Sequence, residues 1–464
     1  MSKNTNKHRY LIFFLIIAIP SFFIITNSII STSSHAISYQ RELPILMTDN
    51  KDQGDLNLQS PLNGGKNWTV IFYGAHDNDL SSSIPGLGST DDIDVIALED
   101  NIAPGDSKAA YVGTTGALTF FNLTDIHPSW IDELNMAHPD TLSIFVKFCI
   151  DNYPANHYWV VLDNHGGAYN GVCTDEGSGG DILTLGDLKT AFSDISTHLG
   201  RKVDGIFFAA CLMSNLEVAV QLSPYVECII GFETTSSGMQ LDEDVVVETF
   251  VANPTMTPEE MAIELVNEAT ISTMGFMTMS AIKLSVIEDL IGELNTFSTL
   301  LLNNFNLYGN AIKAARDAAD PGLGWYDYYS WPLLIDFVDF VEEIFNRVPN
   351  FLIRDSASNL INHLVPGGQD YAIINNRVGE ASDFMRGLSV YFPEFLAPSY
   401  TGYQIGNDFC ALTNWEEFLQ VFYDGDVDTI STPFNGVNIF IIILTAAPYV
   451  LIGLVVYNEV FRKR

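Results

Sequence analysis

The stretch His157-Tyr158-Trp159-Val160-Val161-Leu162, running straight into Asp163-Asn164-His165-Gly166-Gly167, decides the fold class. From Tyr158 to Leu162 the run is apolar, without polar alternation, as in a strand buried on both faces; such strands belong to parallel sheets. The polar and glycine residues that follow stop it. Two further runs share the pattern. Thr69-Val70-Ile71-Phe72-Tyr73 lies upstream and is ended by Gly74; Val203-Asp204-Gly205-Ile206-Phe207-Phe208-Ala209 lies downstream. Between the second and third runs, Leu185, Leu188, Ala191, Phe192, Ile195 and Leu199 fall close to a helical period, with Gly200 as the stop. Strand, helix and strand in this order make a βαβ unit. Its crossover is right-handed in nearly all proteins, which leaves both strands' C-terminal ends at one edge of the sheet, where open α/β sheets bind ligands. A fourth apolar run at residues 226–232 extends the pattern. The expected fold class is α/β, a mainly parallel sheet sandwiched by helices.

Beyond Phe250 the pattern turns helical, with amphipathic stretches at 259–271, 286–303, 333–346 and 356–364, and Gly387-Leu388-Ser389-Val390-Tyr391-Phe392 reads as a returning strand before Pro393. At the start of the chain Lys3, Lys7, His8 and Arg9 precede an apolar run at 11–25, the form of a signal peptide or signal anchor. At the other end, residues 439–457 carry no charge and Arg462-Lys463-Arg464 follows. The sequence therefore predicts a transmembrane helix near each terminus, with both basic clusters cytoplasmic, the membrane as a partner through these helices, and the intervening region extracellular. Lys and Arg total 21 against 57 Asp and Glu, a formal net charge of −36, which excludes nucleic acid as a partner. Five cysteines are an odd number, so an oxidising compartment leaves one unpaired; Cys211 is the expected free thiol.

His165 stands just past the end of one buried strand and Cys211 just past the end of another, so the βαβ unit makes neighbours of an imidazole and a thiol. Nucleophilic catalysis needs that pair: a free thiol is only a few per cent thiolate near neutral pH, and a neighbouring histidine or a helix N-terminus raises the fraction. A helix is expected from Leu212 onward. The backbone N–H groups of Gly166 and Cys211 are the expected oxyanion donors.

The blocks Tyr73-Gly74-Ala75-His76-Asp77-Asn78-Asp79-Leu80, Asn164-His165-Gly166-Gly167, Ala210-Cys211-Leu212-Met213 and Gly387-Leu388-Ser389-Val390-Tyr391-Phe392-Pro393, in this order, resemble the clostripain family of the caspase-like clan of cysteine peptidases, over roughly residues 67–425. The resemblance implies a caspase-like sheet, His165 as proton carrier, Cys211 as nucleophile, and endopeptidase action on a peptide or protein substrate through an acyl-enzyme. It also implies a preference for cleavage after basic residues, which the family ties to an aspartate two positions before the nucleophile. Here that position is Ala209. Glu233 is the expected substitute for substrate binding, with Asp242, Glu243 and Asp244 close behind. Some members depend on calcium, for which Asp77, Asn78 and Asp79 offer oxygen ligands; the same residues read as an ordinary turn, and no metal ligand is assigned. The alternatives are an inactive homologue that serves as a binding module and a legumain-like transpeptidase. The expected organisation is a signal segment at 1–36, a polar linker at 37–66, a caspase-like catalytic domain at 67–250, a largely helical C-terminal part at 251–425, a linker at 426–436, and a transmembrane helix with a basic tail at 437–464.

Overall fold

The computed structural model describes residues 65–424, apart from 79, 81–83, 236–240, 272–277, 320–332, 368–369, 380–384 and 395–401. In chain order the strands are β1 (Lys66–His76), β2 (Ile93–Asn101), β3 (Lys108–Val112), β4 (Leu118–Phe120), β5 (Ala155–Asp163), β6 (Val172–Asp175), β7 (Asp181–Leu183), β8 (Val203–Ala209), β9 (Val226–Gly231), β10 (Thr278–Lys283), β11 (Leu334–Asp336), β12 (Ile373–Val378) and β13 (Ser389–Tyr391). A nine-stranded sheet runs in the order β12-β10-β9-β8-β5-β1-β2-β3-β4. From β9 through β8, β5 and β1 to β2 all neighbours are parallel. Antiparallel strands close both sides, β3 and β4 beyond β2, and β10 and β12 beyond β9.

Side chains alternate across a strand, so each apolar run serves two cores. Ile71, Tyr73, Val160, Leu162, Ile206 and Phe208 face one layer, made by helices that include Pro139–Asn152, Leu185–Leu199, Leu216–Leu222 and Leu284–Ala318. Val70, Phe72, Trp159, Val161 and Phe207 face the other, under Glu243–Ala252 and Pro258–Glu268. Gly205, inside β8, has a packing reason: the Trp159 ring lies 2.2 Å from where its Cβ would stand. Trp159 in turn meets Phe250 edge-on at 5.7 Å between ring centroids. The crossover helix Leu185–Leu199 starts in a capping box of Thr184 and Asp187 and stops at Gly200, whose φ is 76°.

Two expectations need correction. The helical pattern at 333–346 splits into β11 and a helix, Phe337–Arg347, because Leu334 to Asp336 pair with β13 and the Asp336 carboxylate caps the helix by accepting the Asp339 N–H at 2.7 Å. The second correction concerns the transmembrane helix placed near each terminus, and the membrane partner inferred from it. Among the described residues no helix is long and apolar enough to cross a membrane. The longest of them, Leu284–Ala318 with 35 residues, carries Glu288, Asp289, Glu293, Lys313, Arg316 and Asp317 along its length. Residues 11–25 and 439–457 lie outside the described residues. The α/β fold of the described residues includes no helix that could span a membrane.

Candidate active site

Strands β5 and β8 run parallel with Asp163 opposite Ala209, so the chain leaves the sheet at the same level on both. His165 and Cys211 each follow two residues later. The two exits touch. A Cβ placed on Gly166 would lie 2.2 Å from the Cys211 carbonyl oxygen and 3.0 Å from both Ala210 Cβ and Met213 Cγ. Only glycine lets the His165 block lie this close to the Cys211 block. His165 is exposed and Cys211 half-buried, so both can be reached from solvent.

The buried Asn164 fixes the histidine side. Its Oδ1 accepts the His165 N–H and the Thr174 N–H, the latter at 3.1 Å, while its Nδ2 donates to Thr174 O at 3.3 Å. The chain then doubles back, through Ala168 at φ 53°, Gly171 at φ 116° and Cys173 at φ 60°, so that Cys173 N–H donates to His165 O at 3.2 Å. A side chain at Gly171 would strike Leu183 O at 2.3 Å, so this turn tolerates only glycine there.

On the other side Leu212 takes a left-handed conformation, φ 67°, and its N–H donates to Thr234 O at 3.0 Å. A left-handed leucine costs roughly 1–2 kcal/mol, met here by the surrounding bonds. Ser214 N–H donates to Phe232 O at 3.0 Å, and Ser214 Oγ lies 2.7 Å from both Ser280 Oγ and Gly387 O. The Ser389 N–H donates to Ser214 O at 3.0 Å, so β13 braces the loop that follows Cys211. The helix expected from Leu212 begins instead at Leu216, capped by Asn215, because residues 212–215 are committed to β9, β10 and β13. Its positive end therefore does not sit at Cys211.

Glu233 is 1% exposed. Its Oε2 accepts the Gly387 N–H at 2.9 Å, and its carboxyl hydrogen-bonds to that of Asp336. Burial first, and the Asp336 charge second, push the Glu233 pKa well up. Asp336 also accepts the Asp339 and Arg386 N–H groups, bonds that favour its charged form, so the proton between the two acids belongs to Glu233. Asp242 caps the helix Glu243–Ala252, and Asp244 accepts the Leu87 N–H at 3.0 Å. In the Asp77-Asn78-Asp79 run, Asp77 is buried and its Oδ2 accepts the Gly177 N–H at 2.8 Å. Asn78 donates to Ala75 O and Thr174 O and accepts the Leu80 N–H, a turn as expected; Asp79 lies outside the described residues. Cys149, Cys173, Cys228 and Cys410 are buried free thiols. Burial alone pushes the Cys149 pKa up and is the main cause for the other three, so these thiols stay protonated.

The four sequence blocks thus meet at one sheet edge, and the clostripain family model matches residues 72–422. The chain belongs to the clostripain family. Clostripain from Hathewaya histolytica is 26% identical over 245 residues, 43% of this chain and 45% of that protein, so the match spans less than half the length of this curated relative. Among solved structures, a secreted C11 cysteine protease from Bacteroides thetaiotaomicron, in complex with an irreversible peptide inhibitor, matches with a TM-score of 0.55 at 19% identity. That match covers 75% of this chain and 99% of the other. An inactive zymogen C11 protease from Parabacteroides distasonis matches with a TM-score of 0.53 at 18% identity, covering 75% and 98%. At such identities the structural likeness speaks for the fold alone. The fold is that of the C11 cysteine proteases it matches. Sequence reasoning missed Asn164, the Asp336 partner of Glu233 and the pair of His76 Nε2 with Asp163 Oδ2 at 3.1 Å. Only the Asn164 side chain had a local signal, its place beside His165.

Proposed function

We propose that the protein hydrolyses peptide bonds through an acyl-enzyme, with Cys211 as nucleophile and His165 as proton carrier. The observation that carries this reading is the contact between Gly166 and the Cys211 backbone, which brings the two blocks together at the sheet edge. In this reaction the Cys211 sulfur adds to the substrate carbonyl as His165 takes the thiol proton. His165 then returns that proton to the leaving amine as the C–N bond breaks. Water, giving a proton to His165, attacks the thioester and releases the acid and the free thiol. The N–H groups of Gly166 and Cys211 hold the oxyanion. The next donors along each block are spent inside the protein, Gly167 N–H on Gly171 O at 2.9 Å and Leu212 N–H on Thr234 O at 3.0 Å.

Charge recognition is better assigned to Asp163 than to Glu233. The Glu233 carboxyl is buried and bonded to Gly387 and Asp336, whereas Asp163, bonded to His76 Nε2 at 3.1 Å, keeps 20% exposure. Asp163 is also the register partner of Ala209, so the two side chains share one face of the sheet on neighbouring strands about 4.8 Å apart. A carboxylate is thus retained one strand away from the position where the family places one, and it favours a basic residue before the cut bond.

The test is profiling of the purified chain with a diverse peptide library, read by mass spectrometry. Hydrolysed products ending in Arg or Lys, lost in Asp163→Asn with other cleavages kept, support both assignments. No cleavage together with a Cys211 inert to iodoacetamide leaves a binding module, and ligated products indicate a transpeptidase; either result overturns hydrolysis.

A further inference from the structure

Gly74, Asp163 and Ala209 stand in one register row across β1, β5 and β8, and Glu99 of β2 extends it on the far side of Gly74. The row holds two acids. Glu99 is ion-paired with Lys108 Nζ at 2.6 Å. Asp163 is met by His76, a residue only 2% exposed, whose Nε2 lies 3.1 Å from Asp163 Oδ2.

Gly74 makes that meeting possible. A Cβ there would stand 2.7 Å from His76 Cε1 and 3.0 Å from His76 Nδ1, so the imidazole fills the space that a side chain on β1 would take. The chain is held as it leaves the strand: Asn78 N–H donates to His76 O at 2.7 Å, and Asn78 Nδ2 donates to Ala75 O at 3.2 Å. The ring is thereby kept over Gly74 and against β5. A carboxylate only accepts, so Nε2 donates to Asp163. The ring makes no other hydrogen bond, since Nδ1 is buried without a partner.

With Oδ2 held, Asp163 offers a ligand at most its other oxygen. That count bears on the two basic side chains differently. A guanidinium is a planar fork that binds a carboxylate best through two parallel N–H···O bonds, whereas an ammonium is a point charge that one oxygen satisfies. A fork seated on both Asp163 oxygens would break the His76 bond and leave both imidazole nitrogens buried without partners, which is costly.

We propose that His76 is a specificity-determining positioning residue: by holding Asp163 Oδ2 it makes this acid a recognition point for lysine rather than arginine before the cut bond. His76 is buried and acts through Asp163, without meeting substrate. This role rests on the reading of Asp163 as the acid that favours basic residues.

The test compares three peptides that differ only before the cut bond, where they carry lysine, arginine or norleucine, on the full chain and on His76→Ala, His76→Gln and Asp163→Asn. In wild type, kcat/KM for the lysine peptide should exceed that for the arginine peptide at least about fivefold. His76→Ala releases Oδ2 and should bring the two within about twofold or reverse their order, with the norleucine peptide unchanged. His76→Gln, whose amide N–H can donate to Oδ2, should restore the lysine preference. A role in packing alone would lower all three peptides together and leave the ratio fixed. His76→Val takes the place of His76→Ala if the latter does not fold. The same ratio is read without turnover from the affinities of Cys211→Ala, with and without His76→Ala, for peptides ending in lysine or arginine. An arginine preference in wild type overturns the proposal. A ratio unmoved by His76→Ala, with basic preference lost in Asp163→Asn, overturns the role of His76 alone. Basic preference kept in Asp163→Asn overturns the reading of Asp163 and this role with it.

Discussion

The two halves of the site are braced by buried acids that solve the same problem in opposite ways. Behind the cysteine half, Glu233 and Asp336 share a proton and accept backbone N–H groups from Gly387, Asp339 and Arg386. That grouping is neutralised in part: one proton reduces its charge to one unit, and three backbone N–H groups donate to it. Behind the histidine half, Asp77, Asp100 and Asp175 bring three carboxyls together and leave Asp100 Oδ2 with no donor. That grouping is open. The difference teaches that burial of acids by itself says little; a shared proton and backbone donors on one side stand against three carboxyls with fewer such reliefs on the other.

The comparison can be broken at several points. The largest effect is expected where both halves meet: Cys211→Ala and His165→Ala should each lower peptide hydrolysis by more than about a thousandfold with an unchanged melting curve. A variant of either residue with wild-type turnover breaks the site itself. Next, Asp336→Ala removes the helix cap and strands Glu233, so it should cost roughly 2–3 kcal/mol in urea unfolding. A neutral result would mean that the cysteine-side latch carries no stability. On the histidine side, Asn164→Ala should lower kcat about tenfold, equivalent to about 1.4 kcal/mol, with KM little changed, since Asn164 orients the histidine and does not meet substrate. An equal rise in KM would place Asn164 in binding instead.

The smallest effect is the most diagnostic for the shared proton. Glu233→Gln keeps an acceptor for Gly387 N–H and a donor toward Asp336, so it should cost less than about 1 kcal/mol near neutral pH. The pH dependence should change more. With a folded pKa above the ordinary 4.5, Glu233 keeps a proton that the unfolded chain has released, so the folded state binds more protons and stability falls as pH rises from about 4.5 toward the folded value. Glu217, pushed up to about 7 by burial, acts in the same direction and is common to both proteins. Subtracting the stability–pH curve of Glu233→Gln from that of wild type should therefore isolate a loss that grows with pH. Parallel curves would show that Glu233 is not the proton holder.

Much of this was legible in the chain because buried parallel strands are continuous apolar runs. The run at Val203 to Ala209 and the helix at Leu185 to Leu199 appear with the expected bounds, and the other expected strands lie within a few residues of theirs. β2 escaped notice. Its sequence Ile-Asp-Val-Ile-Ala-Leu-Glu-Asp-Asn ends in acids, whose partners Lys108 and Ser107 lie on the next stretch of chain. His165 and Cys211 could be singled out together because one crossover fixes where two strand ends lie. By itself, then, the sequence determined the layers of the sheet and the level at which those two blocks leave it, since alternation and period are local properties. Only the tertiary structure decided which acids share a proton and which face one another unpaired. Glu233 and Asp336, or Asp77, Asp100 and Asp175, are far apart along the chain, and the balance of donors and lone pairs exists only once the strands and loops that carry them have packed.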